Sequence, residues 1–119
     1  MILAPYQGLV CERTPAYRVA QVYEIALSAL PVAYANAIPT PDRSVPVCLY
    51  RDAVILFVYQ VDGGFGFISH MAALLNRHHS TIISALRRVQ KRIKHPDQAE
   101  QTLALIEKMK RRFEARKAV

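Results

Sequence analysis

Residues 76–95 read "NRHHSTIISALRRVQKRIKH", and the fold turns on whether this stretch is a loop with basic side chains or the start and body of a helix. Ile82, Ile83, Leu86, Val89 and Ile93 recur at spacings of three and four, the signature of one buried helix face. Arg87, Arg88, Lys91, Arg92 and Lys94 fall on the other face, and Pro96 closes the pattern. Immediately upstream, "FISHMAALL" (67–75) sets Ile68, Met71, Ala72 and Leu75 on one side of a shorter helix, and "NRH" breaks it. A short helix, a tight break and a second helix with an apolar stripe opposite a basic one form the outline of a helix-turn-helix unit.

Working outward, Asp97 and Glu100 have the spacing of a capping box. They predict a final helix with Ala99, Leu103, Ile106, Met109 and Phe113 as its buried stripe, packed across the preceding unit. On the N-terminal side, "VCLYRDAVILFVYQVDGG" (47–64) contains a continuous apolar run that suits a buried strand as well as a buried helix. Its length, the turn signal at "DGG" and the lack of a partner strand favour a helix from about Leu49 to Val61. "TPAYRVAQVYEIALSAL" (14–30) predicts a helix with Thr14 as N-cap, Pro15 in the first turn, and Val19, Val22, Tyr23, Ala26, Leu27 and Leu30 inward, ending before Pro31. The four prolines of "PVAYANAIPTPDRSVP" (31–46) mark a connection with room for one helical turn at "VAYANA".

A chain of 119 residues fits one domain. The apolar fraction is 52%, and no window reaches the roughly 18 apolar residues that a membrane span requires. The expectation is a soluble, cytoplasmic protein without a membrane partner, since "MILAPYQGLVCER" lacks the build of a secretory signal. Cys11 and Cys48 are far apart without CxxC spacing, so both are expected to be small buried hydrophobes. Charge is distributed unevenly. Residues 1–62 hold four Lys/Arg against five Asp/Glu, a net −1, while residues 63–119 hold twelve against four, a net +8. The C-terminal half is therefore the part that would face a polyanion, nucleic acid first and an anionic membrane surface second.

The residues that could carry chemistry narrow the field further. "DGGFG" (62–66) has no phosphate-loop continuation, so Gly63, Gly64 and Gly66 are expected to serve backbone conformation. His78 and His79 are neighbours that point in different directions. With His70 and His95 they show neither i, i+4 pairing nor an HExxH pattern, so no metal and no cofactor is expected. Paired carboxylates and nucleophile motifs are also missing, and no enzyme is expected. "RHHSTI" (77–82) instead offers a mixture suited to DNA at a helix start, where histidine and hydroxyl groups can meet base edges and arginine can hold phosphate. The same residues could equally be a solvated turn with Ser80 as helix cap.

"NRHHSTIISALRRVQ" (76–90) resembles the signature of the C-terminal DNA-binding domain of the bacterial replication initiator DnaA, which runs Arg-Asp-His-[Ser/Thr]-Thr-Val into a helix with a basic pair. Arg77 stands at the family's arginine, His79 at its histidine, Ser80 and Thr81 at its hydroxyl pair, and Ile82 at its valine. "RSVPVCLYRDAVILFVYQ" (43–60) is similar to the family's basic loop and following helix. By position, Arg43 would then enter the minor groove and Arg51 would approach the DNA backbone. Two positions depart from the pattern. His78 replaces a base-contacting aspartate, which predicts a different preferred base, and Pro46, Val47 and Cys48 replace polar or basic loop positions.

The resemblance, covering about residues 40–113, implies an all-α, single-domain protein with a DnaA-type (Trp-repressor-like) helix-turn-helix. Residues 1–45 would supply an N-terminal helix and Pro-rich connection, and 46–119 the helix-turn-helix region with its packing helix. With no Walker motif, the chain is expected to bind double-stranded DNA without ATPase activity, as a nucleoid-associated regulator of transcription or replication in a bacterium or phage. The expected contacts are Arg77, His78, His79, Ser80 and Thr81 in the groove, helped by Arg87, Arg88, Lys91, Arg43 and Arg51. The N-terminal helix lies outside the resemblance and is expected either to cover the core or to mediate a homodimer; the initiator or the transcription machinery is the further partner expected. The competing reading is a small helical adaptor that docks on an acidic partner protein.

Overall fold

The computed structural model describes residues 14–64 and 66–117, and the first and fifth of its helices begin at a capping side chain. The Thr14 hydroxyl accepts the Tyr17 amide hydrogen at 3.3 Å, and Pro15 opens helix α1 (Pro15–Ser28) without a wasted donor. Val19, Val22, Tyr23 and Ala26 are buried along α1, Leu30 is buried beyond its end, and Leu27 is half-buried. The single turn expected at "VAYANA" is α2 (Val32–Ala37). Cys11 lies outside the described residues.

Helix α3 (Val45–Asp62) starts about four residues earlier than the sequence predicts. Pro46 lies inside the helix and not in the connection, because a proline in the first turn sacrifices only an amide that has no intrahelical partner. The ambiguity of the apolar run also has a physical cause. Residues 51–58 are all buried, because α3 is the central element and packs against all five other helices. A helix surrounded on every side has no polar face to generate a period.

Helix α4 (Phe67–Leu75) begins after Gly66, whose φ of 82° suits glycine. Gly63 serves differently. Its φ is −89°, but a Cβ there would meet the Tyr59 carbonyl oxygen at 2.2 Å. Gly64 has neither requirement, which corrects the expectation that all three glycines supply special angles.

Helix α5 (His79–Arg92) buries Ile82, Ala85, Leu86 and Val89. Ile83, expected inside, is exposed, and Ala85 takes its place on the inner line. Helix α6 (Pro96–Lys117) starts one residue before Asp97, with the His95 carbonyl accepting the Ala99 amide hydrogen at 2.8 Å. Asp97 thus sits within the first turn, where its charge favours the amide end of the helix, and is not the N-cap of a capping box. The buried line of α6 is Ala99, Thr102, Ile106 and Met109, followed by half-buried Phe113 edge-on to Phe57. Leu103 is exposed instead. Helix α6 packs on α1 and α3, so it braces the central helix instead of lying across α4 and α5. The described residues form an all-helical fold, and no helix among them is long and apolar enough to cross a membrane.

Candidate nucleic-acid interface

The connection between α4 and α5 is three residues long, and its geometry follows from Asn76. This residue adopts the left-handed conformation, φ 52° and ψ 52°, which asparagine tolerates better than most side chains. With the chain turned there, the Arg77 amide donates to the Ala72 carbonyl at 2.9 Å and the Asn76 amide to the Ala73 carbonyl at 3.3 Å. These two bonds satisfy the last carbonyls of α4 in a Schellman motif. Helix α5 can then start at once.

His78 is the cap of that start. Its Nδ1 accepts the Ser80 amide hydrogen at 3.1 Å, and the Ser80 hydroxyl lies 2.9 Å from the same nitrogen. Ser80 as the capping residue would start the helix at Thr81, but the chain enters it two residues earlier, at His79. His78, His79, Ser80 and Thr81 are all exposed in the first turn of α5. Arg87 and Lys91 are exposed farther along the helix. The structure therefore brings these six expected residues to one helix and its entry turn.

Four other arginines are placed less simply. Arg77 is half-buried, and its guanidinium donates to the carbonyls of Leu75 at 3.0 Å, Asn76 and Thr40, strapping the turn to the loop before α3. Burial, and then the nearby charges of Arg51 and Arg43, pull its guanidinium below the usual arginine range. Arg51, expected near a DNA backbone, is only 8% exposed and turned into the protein. Its Nε donates to the Ile38 carbonyl at 2.8 Å, and its Nη2 to the carbonyls of Ala37 at 3.3 Å, Thr40 at 3.0 Å and Asp42 at 3.0 Å. A planar fork of donors is well matched to such a curled loop. Arg51 thus acts as the loop's internal support. Arg43 is exposed on that loop, near enough to Arg77 for its charge to be felt there.

Arg88 extends from α5 back to α3. Its Nε and Nη2 each lie 2.8 Å from a different oxygen of Asp52, a bidentate pair, and Arg92 Nη2 reaches the same carboxylate at 3.3 Å. The hydrogen bond to Asp52 raises the Arg88 guanidinium above its ordinary value, while burial opposes that. Asp52 is 1% exposed, and sequence reasoning missed it. Its signal was available: a lone carboxylate next to "AVILFV" (53–58) has to find a cation if it is buried. Thr40 was missed as well, since a backbone carbonyl that accepts from two arginines leaves no trace in the side-chain pattern.

Within the loop, the Asp42 carboxylate accepts the Ser44 amide hydrogen at 2.8 Å. That bond holds the Asp42 carboxyl below the usual carboxylate range. Cys48 is a free, half-buried thiol. No group of three or more His, Cys, Asp or Glu side chains converges as a metal site among the described residues. The assembled surface is an exposed helix start with histidine, serine and threonine, flanked by Arg43, Arg87 and Lys91, on a helix that contains no acidic residue. Such a surface can donate to phosphates and exchange hydrogen bonds with polar base edges. No family model matches the chain, and neither a curated protein nor a solved structure was found to be similar to it.

Proposed function

We propose that this protein is a sequence-specific double-stranded DNA-binding protein of the DnaA-like helix-turn-helix type, a regulator of transcription or replication with no ATPase activity of its own. The observation that supports the reading is the build of α5. One side is buried through Ile82, Ala85, Leu86 and Val89, and the exposed remainder carries histidine, hydroxyl and basic groups with no carboxylate. A helix presented in this way after a tight turn is suited to enter the major groove by its N-terminal residues, with arginine and lysine on phosphates either side. On this reading His79 contacts a base edge, and Ser80 and Thr81 contact base or phosphate. Arg43, Arg87 and Lys91 hold the backbone. Arg77 and Arg88 act mainly through the framework they brace, and Arg51 supports the loop that carries Arg43.

The test is selection of bound duplexes from a random library, followed by affinity measurements on the enriched sequence. His79→Ala is expected to weaken the selected site by about 1 to 3 kcal/mol and to leave non-specific duplex binding almost unchanged. Equal losses on both duplexes would make His79 a backbone contact, and no enrichment of any sequence would overturn the proposal.

A further inference from the structure

A cleft of about 440 Å³ opens between the loop before α3, the entry turn and the inner edge of α5. Its charged lining is Arg43, Arg51, Arg77, Arg88 and Arg92 against one acid, Asp52. Five guanidinium groups therefore share a single carboxylate. Each guanidinium carries five N–H donors, and the bonds described above leave some unspent. Arg51 uses Nε and Nη2 on the loop and turns Nη1 to the Cys48 sulfur at 4.0 Å, whereas Arg88 uses Nε and Nη2 on Asp52 and keeps Nη1. The Nη1 atom of Arg92 is buried with no hydrogen-bond partner among the described residues. A buried donor left unpaired costs about 1 to 3 kcal/mol. The charges of Arg51 and Arg43 both act against the positive form of Arg77, so the concentration of positive charge is not fully compensated.

We infer that this cleft is a phosphate-binding site, one that takes a phosphate group with its attached sugar, supplied either by a DNA backbone or by a free nucleotide. The inference goes beyond the DNA-binding reading and does not depend on it. Exposed Arg43 can donate to phosphate in bidentate fashion, the geometry that arginine offers best, and the arginines held behind it add their positive charge. The volume lies within the range of small-molecule pockets, and Val45, Cys48 and Leu49 supply accessible apolar surface for a sugar or base.

Val45 gives access to the site without disturbing any arginine. It lines the cleft, is 72% exposed, and occupies the first position of α3, where an aspartate is favourable to the helix. Val45→Asp places a carboxylate at the entrance. Val32→Asp is the matched control, because Val32 is 76% exposed, opens α2, and is not part of the cleft. Calorimetric titration of the full chain with AMP and with inorganic phosphate is expected to give saturable binding. Val45→Asp should weaken it at least about tenfold, and Val32→Asp should not, because Coulomb repulsion falls with distance and is screened. Circular dichroism checks that both variants are folded.

Competition then identifies the source. If AMP displaces a labelled duplex, the DNA backbone uses the same cleft. If AMP binds and the duplex stays, the site serves a free nucleotide. Absence of saturable binding by either probe, or equal weakening by the two variants, overturns the inference whatever the duplex does. Failure of every duplex to bind, with AMP binding intact, would sink the DNA-binding reading alone.

Discussion

The imidazole of His78 accepts the Ser80 amide hydrogen on Nδ1, so this side chain has a structural task before any DNA is present. A histidine with both nitrogens protonated has no lone pair for that task, and an alanine has none at all. His78→Ala is expected to cost about 1 kcal/mol of folding stability, measured as a shift in the urea midpoint. His78→Asp should hold stability to within about 0.5 kcal/mol, because aspartate is a strong N-cap and its charge suits the helix start. The aspartate at this position in the resembling family is thus compatible with the same backbone. Repeating duplex selection with His78→Asp separates two roles. A changed preference at one base pair would show that residue 78 reads a base, and an unchanged preference would leave it a cap only. His79, next to it, makes no such local bond, so its exposed ring is available to a partner.

At the scale of elements, α3 organises the proposed interface through two adjacent residues. Arg51 gathers the carbonyls of Ile38, Thr40 and Asp42, and Asp52 receives Arg88 and Arg92 from α5. One residue fixes the loop, and the next fixes the helix. Asp52→Asn would leave two cations facing a neutral amide that can accept only on one oxygen. The expected loss is about 2 to 4 kcal/mol, read from chemical unfolding. The lower part of that range is favoured by Arg88, whose side chain is 53% exposed and can turn to water, whereas Arg92, at 16%, has less freedom. A variant that unfolds at the wild-type urea concentration would show that the triad contributes nothing net. The sequence made α5 recognisable because its apolar and basic faces alternate at a helical period. It hid the true extent of α3, because a helix buried on all sides displays no period and its proline falls where a helix tolerates one.

For the whole molecule, the excess charge and the exposed helix start lie in the same half of the chain, the half with net charge +8. Duplex binding should therefore release counterions. If about six phosphates are neutralised, affinity should fall by roughly a thousandfold between 50 and 200 mM salt. Binding that is indifferent to salt would remove the electrostatic part of the proposal. The N-terminal helix α1, expected from sequence either to cover the core or to mediate dimerisation, packs against α3, α4 and α6. Its buried face belongs to the core that holds α3 in place.

Sequence by itself determined the elements with local causes. Thr14 and Pro15 start α1, the 82–89 apolar line and its basic counterpart define α5, and the break at Asn76 separates α5 from α4. All of these depend on neighbours within about one or two helical turns, where propensity and periodicity act. What only the tertiary structure decided was how the arginines divide their work. Arg51 and Arg77 look like surface cations in the sequence, yet their partners are carbonyls, some of them in a loop 9 to 37 residues away along the chain. Arg88 meets Asp52 across 36 residues. A guanidinium turns toward whichever oxygen the fold brings within reach, and backbone oxygens carry no residue type. For that reason the framework arginines could be separated from the exposed ones only after the loop, the turn and α5 had been brought together.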